Sequence, residues 1–510
     1  MITGTWTSFG DVDRSQLVRI LIAGLTGIVT TSIVYSIWQA IYNVYFHPLS
    51  RFPGPKSWAA SRFPREKAMV SGRIHYVLKD LHNQYGDVVR TGRDEISFTS
   101  AAAFKDIHTR YGPWKTAFPK DPDLYVVPAS GHHSILSVKN DADHSRYRRL
   151  LSHAFSEKSL QEQAPLIKTY IDLFISRLHS NASKGPQDMV KWFNFTTFDI
   201  IGDLSLGESF ECLEKQEYHP WIEFLFKAFK TVSILTSFKR FPWFNKVFMW
   251  MLPRSLREAR TRNMMFTREK VLKRIKEGTG RPDFMTNVLK HNDKETGMSV
   301  NEIVSTFGLL ILAGSETTAT LLSAATYLIL KHPEVLDKMV AEVRSTFKTE
   351  DEITQVSVNK LTYQIAVLEE SLRVHPPAPF GFPRIVPGEK GQFVAGQWVP
   401  KGTVVWTSTW VSHTQEANFR DADKFIPERF LGDARFKGDN RGAFQPFSLG
   451  PRNCIGTNLA YAEMRLIMAR LLWNFDLELD ERSRRWQDHM KIFILWEKPA
   501  LYVKLKPVVR

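Results

Sequence analysis

The sequence predicts a mainly helical protein with a smaller β-rich part, an α+β fold, preceded by one membrane-spanning helix. Three observations predict this. Residues 20–46 carry no charged side chain and are mostly apolar, enough to cross a bilayer as a helix. Apolar residues at helical spacing recur through most of the chain beyond residue 57. Strand-like alternation is confined to a few short stretches, Val88 to Arg90, Glu95 to Phe98, Lys491 to Trp496 and Leu501 to Lys506, the last two together reading as a hairpin.

Composition bounds the function. The 510 residues are 43% hydrophobic and 12% aromatic, which supplies a large core. Two cysteines cannot build a disulfide framework, a zinc ribbon or an iron–sulfur site. The formal net charge is +15, which suits nucleic acid, an anionic membrane surface or an acidic partner protein. No basic, aromatic-interleaved run singles out nucleic acid.

The chain divides into an N-terminal tail (1–19), the apolar span (20–46), a proline-rich hinge (47–57) and one large domain (58–510). Trp38, Tyr42 and Tyr45 suit an aromatic belt at the end of the span. Arg51, Lys56, Arg62, Arg65 and Lys67 come after it, so the positive-inside tendency puts the large domain in the cytoplasm. The span is too long for a cleaved signal sequence and lacks a small-residue cleavage site. His47-Pro48 to Pro53-Gly54-Pro55 is stiff and non-helical, because proline restricts itself and its predecessor.

Ile74, Val77, Leu78, Leu81 and Tyr85 mark an amphipathic helix stopped at Gly86. Residues 111–140 read as a loop, long enough to be functional. His144-Ser145-Arg146-Tyr147-Arg148-Arg149 opens a helix, with His144 and Arg148 on one face. Two sequons, at Asn181 and Asn194, would go unused on the cytoplasmic side. Between Arg240 and Pro253 lies a dense aromatic patch with Trp243, Phe244 and Trp250, suited either to core packing or to a membrane interface.

Asn301 to Leu330 reads as a long apolar helix interrupted by Ala313-Gly314-Ser315-Glu316-Thr317-Thr318. Burying an acid and two hydroxyls is costly unless they are paired or used. Gly314 admits a close neighbour, and Thr317 can hydrogen-bond back to the preceding turn. A further helix begins at Pro333. Glu370 and Arg373 are three apart and can pair; His375-Pro376-Pro377 comes next, and Pro427-Glu428-Arg429-Phe430 lies beyond.

The most informative stretch is Phe447-Ser448-Leu449-Gly450-Pro451-Arg452-Asn453-Cys454-Ile455-Gly456. Glycines and a proline tighten the loop around Cys454, and an apolar-periodic helix begins near Leu459. A cysteine just ahead of a helix N-terminus is expected to favour the thiolate. Phe447 is placed to cover the sulfur, Arg452 to face a carboxylate, and Gly450 and Gly456 to let the backbone approach a flat ligand.

These motifs, in this order and over nearly the whole chain, resemble the cytochrome P450 superfamily, in particular membrane-anchored fungal members. The resemblance implies the P450 fold and haem b with Cys454 as its axial thiolate and metal ligand, a ligand whose electron donation favours O–O cleavage. Cofactor contacts fall on Cys454, Arg452, Phe447 and Gly456. His144 (where the family usually has tryptophan), Arg148 and Arg384 fall on the haem propionates. Glu316 and Thr317 become the catalytic pair, Thr317 for oxygen and its water, Glu316 for protons. Glu370, Arg373 and Arg429 form a structural cluster, and the 111–140 loop covers the haem and lines the substrate pocket. The implied reaction is O2- and NADPH-dependent hydroxylation or epoxidation of an apolar small molecule in fungal secondary metabolism, on terpenoid, polyketide or alkaloid substrates. Electrons arrive through an acidic NADPH-cytochrome P450 reductase, which a basic surface suits. The implied setting is a monomer at the endoplasmic reticulum membrane, with a single anchor and no nucleic-acid partner. A family member that rearranges its substrate without O2 or reductase, and a non-catalytic haem-binding sensor, carry the same cysteine loop.

Overall fold

A computed structural model describes residues 14–109, 117–125, 131–239, 254–292 and 296–509. The aromatic patch at 240–253 lies outside the described residues. The charge-free run forms part of one helix, Arg14–Tyr45, with Leu21, Ile22, Leu25, Ile28, Val34 and Ile37 all exposed. Apolar side chains exposed in this way along a helix are satisfied by lipid, not water, and Ser15–Tyr45 has a mean hydropathy of 2.0.

The end of this helix is clamped. Arg90, itself buried, donates to the carbonyls of Asn43 at 2.8 Å, Gly92 at 3.1 Å and Arg93 at 2.6 Å. The proline-rich segment also packs down: Leu49 and Phe52 join Ile96, Phe98, Ile107 and Val405 in an apolar cluster. A Cβ at Gly54 would lie 2.4 Å from the Arg90 carbonyl oxygen, so glycine is required there by packing.

The long polar-interrupted run is one unbroken helix, Val300–Lys331. Its start carries a capping box, with Ser299 and Glu302 each bonded to the other's backbone, which satisfies two otherwise orphaned donors. It packs along the helix Met189–Leu206, which is buried almost all round. At Gly314 the approach is so close that a Cβ would meet Ile201 Cδ1 at 2.7 Å. The neighbour that Gly314 admits is therefore another helix. Helices Glu157–Ala182, Thr362–Val374 and Thr457–Asn474 complete the core around it. Asn181 and Asn194 are buried, so packing alone keeps both sequons out of reach.

The β part holds β1 (Val88–Arg90), β2 (Glu95–Phe98), β4 (Arg384–Ile385) and β7 (Val404–Thr407) in one sheet ordered β1-β2-β7-β4. Only β2 and β7 run parallel in it. Strands β5 (Gly391–Val394) and β6 (Gln397–Pro400) form a separate hairpin. At the C-terminus the alternating runs are strands, but their pairing differs from expectation. β9 (Lys491–Phe493) turns at Ile494, φ 74°, onto β10 (Leu495–Glu497). β11 (Tyr502–Pro507) instead joins β8 (Phe475–Leu479) and β3 (Gln187–Asp188). Alternation specifies a strand and its faces, not its partner.

Glu370, Arg373 and Arg429 do converge, and all three are fully buried. Arg373 donates twice to Glu370, at 2.7 and 2.8 Å, and to the carbonyls of His413, Ala422 and Lys424. That uses all five of its N–H groups. Arg429 lies 3.4 Å from Glu370 and 2.5 Å from Asp439. The cluster ties the helix Thr362–Val374 to the segment that leads into the cysteine loop.

Candidate active site

The cysteine loop is held by its own backbone and by three distant elements. The Cys454 N–H donates to the Phe447 carbonyl at 2.9 Å. Ser448 and Gly450 have φ of 62° and 75°. A Cβ at Gly450 would sit 2.2 Å from the His108 carbonyl oxygen, so only glycine lets the loop lie against the helix Ala101–His108. Gly456 differs: a Cβ there meets nothing nearer than Cys454 Sγ and Phe155, both at 3.9 Å. The Phe447 ring lies 5.2 Å from that of Tyr461, whose hydroxyl donates to Glu369 at 2.8 Å.

Of the two thiols, Cys212 is fully buried and Cys454 is exposed. Cys454 is nonetheless so deeply set that burial pushes its thiol up from its ordinary value. The Gly456 N–H, the Thr457 hydroxyl and the Arg148 charge oppose this. These three groups favour the thiolate at the start of the helix Thr457–Asn474, and burial opposes them.

Cations gather beside the loop. Arg148 donates to the backbone carbonyl and side-chain oxygen of Asn453, at 2.5 and 2.7 Å. Arg452 pairs with Asp141 at 2.7 Å and donates to the carbonyls of Val138 at 2.8 Å and Lys139 at 3.0 Å. Lys120, buried, donates to the carbonyls of Leu136 and Val138 and bridges Arg384 through the backbone. Arg384 is buried, reaches Phe118 O only at 3.5 Å, and leaves its Nε without a hydrogen-bond partner. Burial, then Arg452 and Arg384, push Lys120 down to about 6. Burial, then Arg452, Lys120 and Arg148, push His144 down to about 3, so its imidazole is neutral.

On the central helix each polar side chain of the interruption makes at least one polar contact. Thr317 Oγ1 donates to the Ala313 carbonyl at 2.6 Å and Ser315 Oγ to that of Ile311 at 2.7 Å. Glu316 is buried and ion-paired with Lys498, whose ammonium also donates to Thr320 at 2.7 Å. Burial raises the Glu316 carboxyl, opposed by Lys498 and Thr320. Thr318 bonds Glu463, which burial pushes up to about 8. Glu463 stands on the helix that begins three residues after Cys454, so the helix of Thr317 packs directly on the helix of the cysteine loop.

The cytochrome P450 family model matches residues 53–505. The chain belongs to the cytochrome P450 family. It is 45% identical over 485 residues to the cytochrome P450 monooxygenase lcsI of Purpureocillium lilacinum, covering 94% of this chain and 93% of that protein. It is 44% identical over 483 residues to the cytochrome P450 monooxygenase astA of Talaromyces wortmannii, covering 95% and 97%. It is 42% identical over 504 residues to the averantin hydroxylase of Dothistroma septosporum, covering 98% and 94%. This P450 is accordingly a monooxygenase, and its family implies a haem held by a cysteine thiolate.

The residues present fit that group. Cys454 is the accessible one of two thiols, and Cys212 is buried, its thiol pushed up to about 12. Among the described residues a Cβ at Gly456 would meet nothing closer than 3.9 Å, so the backbone beside the sulfur is open to a flat ligand. Arg384 and Arg452 are mutually repelling cations that also push Lys120 down, answered by Asp141, and burying such charge is unfavourable unless anions pair with it. Two propionates suit that excess.

The structure brings His144, Arg148, Arg384 and Arg452 near one another beside the cysteine loop. It keeps Phe447 on Tyr461. Lys120, Tyr125 and Lys498 were not foreseen. Tyr125 lies under both Lys120 and Arg384, with the cations 5.0 and 6.0 Å from its ring centroid. The length of the 111–140 loop was the only sequence signal for Lys120. Nothing near Lys498 pointed to Glu316.

Proposed function

We propose that this P450 hydroxylates or epoxidises an apolar small molecule of fungal secondary metabolism, with electrons from NADPH delivered by a flavoprotein reductase. Bound haem would supply the activation of O2 and the insertion of one oxygen atom. Cys454 would hold it, Gly456 would make room for its plane, Phe447 would wall the loop beside it, and Arg148, Arg384, Arg452, Lys120 and neutral His144 would hold its carboxylates. Thr317 offers a hydroxyl that donates and accepts, and Glu316, buried beside Lys498, would relay protons from a source other than bulk water.

The observation that carries this reading is the Glu316–Thr317 pair, an acid and a hydroxyl kept on the wall of an otherwise apolar helix. An O2-independent rearrangement has no use for a buried proton source. The averantin hydroxylase and the trichothecene C-15 hydroxylase among the relatives support hydroxylation as the reaction. The arrangement in the cell would be residues 20–46 as a single anchor in the endoplasmic reticulum membrane, 47–57 as the hinge, and the catalytic domain 58–510 as a cytoplasmic monomer. The +15 charge supports docking of an acidic reductase.

The test is reconstitution of the full chain in lipid with a reductase, NADPH and a panel of apolar polyketides and terpenoids under oxygen-18. One labelled oxygen per product and strict dependence on NADPH are expected. Thr317→Ala should keep NADPH consumption within a few-fold and divert most electrons to peroxide. Conversion of substrate without O2 or NADPH would establish the rearrangement reading instead.

A further inference from the structure

Lys498 belongs to no motif, yet it makes the one ion pair described for Glu316. The two are 182 residues apart. Their side chains are 3% and 7% exposed, so water screens the pair little. The lysine is not a flexible surface residue that folded inward. Its backbone is pinned on both sides. Trp496 donates through Nε1 to the Pro376 carbonyl at 2.8 Å and stacks on His375, ring centroids 4.1 Å apart. The Pro499 carbonyl accepts from Trp486 Nε1 at 2.8 Å. Upstream, Glu497 pairs with Lys230 and the Ile492 N–H bonds Gly72 O.

The ammonium has three N–H groups. One goes to Glu316 and one to Thr320, a turn further along the central helix. The lysine thus grips the helix at two points on one face. Glu316 Oε1 is held, while Oε2 is buried and has no hydrogen-bond partner among the described residues. The carboxyl group is fixed by one oxygen and has the other available.

We propose that Lys498 is a positioning residue for proton delivery: it fixes Glu316 through one carboxyl oxygen and stabilises the carboxylate left when Glu316 gives up its proton. This rests on the proton-relay reading of Glu316 above. In the step, one O–H bond of Glu316 breaks and one forms on the acceptor. The negative charge left behind faces the Lys498 ammonium, and water restores the proton. No other bond changes.

The experiment uses the full-length holoenzyme with reductase, NADPH and a turned-over apolar substrate. It measures product per NADPH, kcat and the solvent isotope effect on kcat. Glu316→Gln should slow kcat roughly 10²-fold and enlarge the isotope effect. Lys498→Met should match it within a few-fold, and Lys498→Arg should restore most of the rate. The double variant E316Q/K498M should be no slower than either single one, as expected of residues that act together. Should Lys498→Met fail to bind haem, Lys498→Gln, which keeps a donor without the charge, replaces it: a slowed kcat with an enlarged isotope effect supports the role, and wild-type values contradict it. If Glu316→Gln is impaired while Lys498→Met has wild-type coupling and isotope effect, the Lys498 role is overturned and the relay stands. If Glu316→Gln is itself unchanged, the relay reading falls, and the role of Lys498 with it.

Discussion

Arg148 grips Asn453 by two oxygens at once, the backbone carbonyl and the side-chain amide oxygen. Asn453 is the residue before Cys454, so the helix Asp141–Ser152 sets the position of the sulfur through one side chain. Arg148→Ala should loosen the loop by about 1–2 kcal/mol, the scale of charged hydrogen bonds discounted for partial exposure. The expected result is a lower haem-to-protein ratio after purification, with Arg148→Lys intermediate because it cannot make the forked contact. Full haem occupancy in Arg148→Ala would show that the loop needs no such tie.

Glu370 neutralises Arg373 and faces Arg429, and none of the three has measurable exposure. Glu370→Ala would strand the buried Arg373 guanidinium, at about 3–5 kcal/mol, while Arg429 keeps Asp439. Expression should yield little folded holoprotein, and what is recovered should unfold at distinctly lower denaturant. A midpoint close to wild type would mean that the carbonyls around Arg373 suffice.

His75 is buried among Tyr76, Trp410 and Trp496, and neither of its ring nitrogens has a hydrogen-bond partner. Burial depresses it from 6.5 to about 3, so the folded protein holds it neutral. The unfolded chain takes up a proton there as pH falls below 6.5, and the native state does not follow until about 3. Its contribution is therefore intact above pH 6.5 and lost on acidification, by about 1.4 kcal/mol per pH unit. Asp199 and Glu463, raised by burial to about 6 and about 8, act with the opposite sign, so the difference between variants is the clean measure. His75→Phe should flatten the decline in melting temperature between pH 6.5 and 4 and cost little at pH 7.5. An unchanged slope would contradict the neutral assignment.

Removing residues before His47 should leave a folded haem-binding domain. Removing those before Ser57 also takes out Leu49 and Phe52, each buried and each contributing about 1.5–3 kcal/mol. The shorter truncation should keep most of the thermal stability and the longer one should not. Equal melting temperatures would make the hinge a plain linker.

Much of this was legible in the sequence because it is local. The central helix, expected over Asn301 to Leu330, spans Val300–Lys331, and Gly86 does end the helix that begins at Ile74. Thr317 bonds back to Ala313 as its spacing allowed. What was not legible depends on distant partners. Gly314 announces a close neighbour, but only the fold shows that it is Ile201. β11 alternates as a strand should, but β8 rather than β9 is its neighbour. Lys120 and Lys498 gain meaning only from charges that the fold brings to them. How deeply Cys454 is set is likewise invisible from its position ahead of a helix.

Cys454 as the haem ligand is the central assignment, and one measurement tests it most directly: the absorption spectrum of the reduced CO complex of full-length Cys454→Ser beside wild type. Wild type should show the red-shifted Soret band of a thiolate-ligated haem. The variant should lose that band entirely, because the other cysteine, Cys212, is buried in the core. A red-shifted band that survives in Cys454→Ser would contradict the assignment, and with it the placement of the site around the Phe447–Gly456 loop.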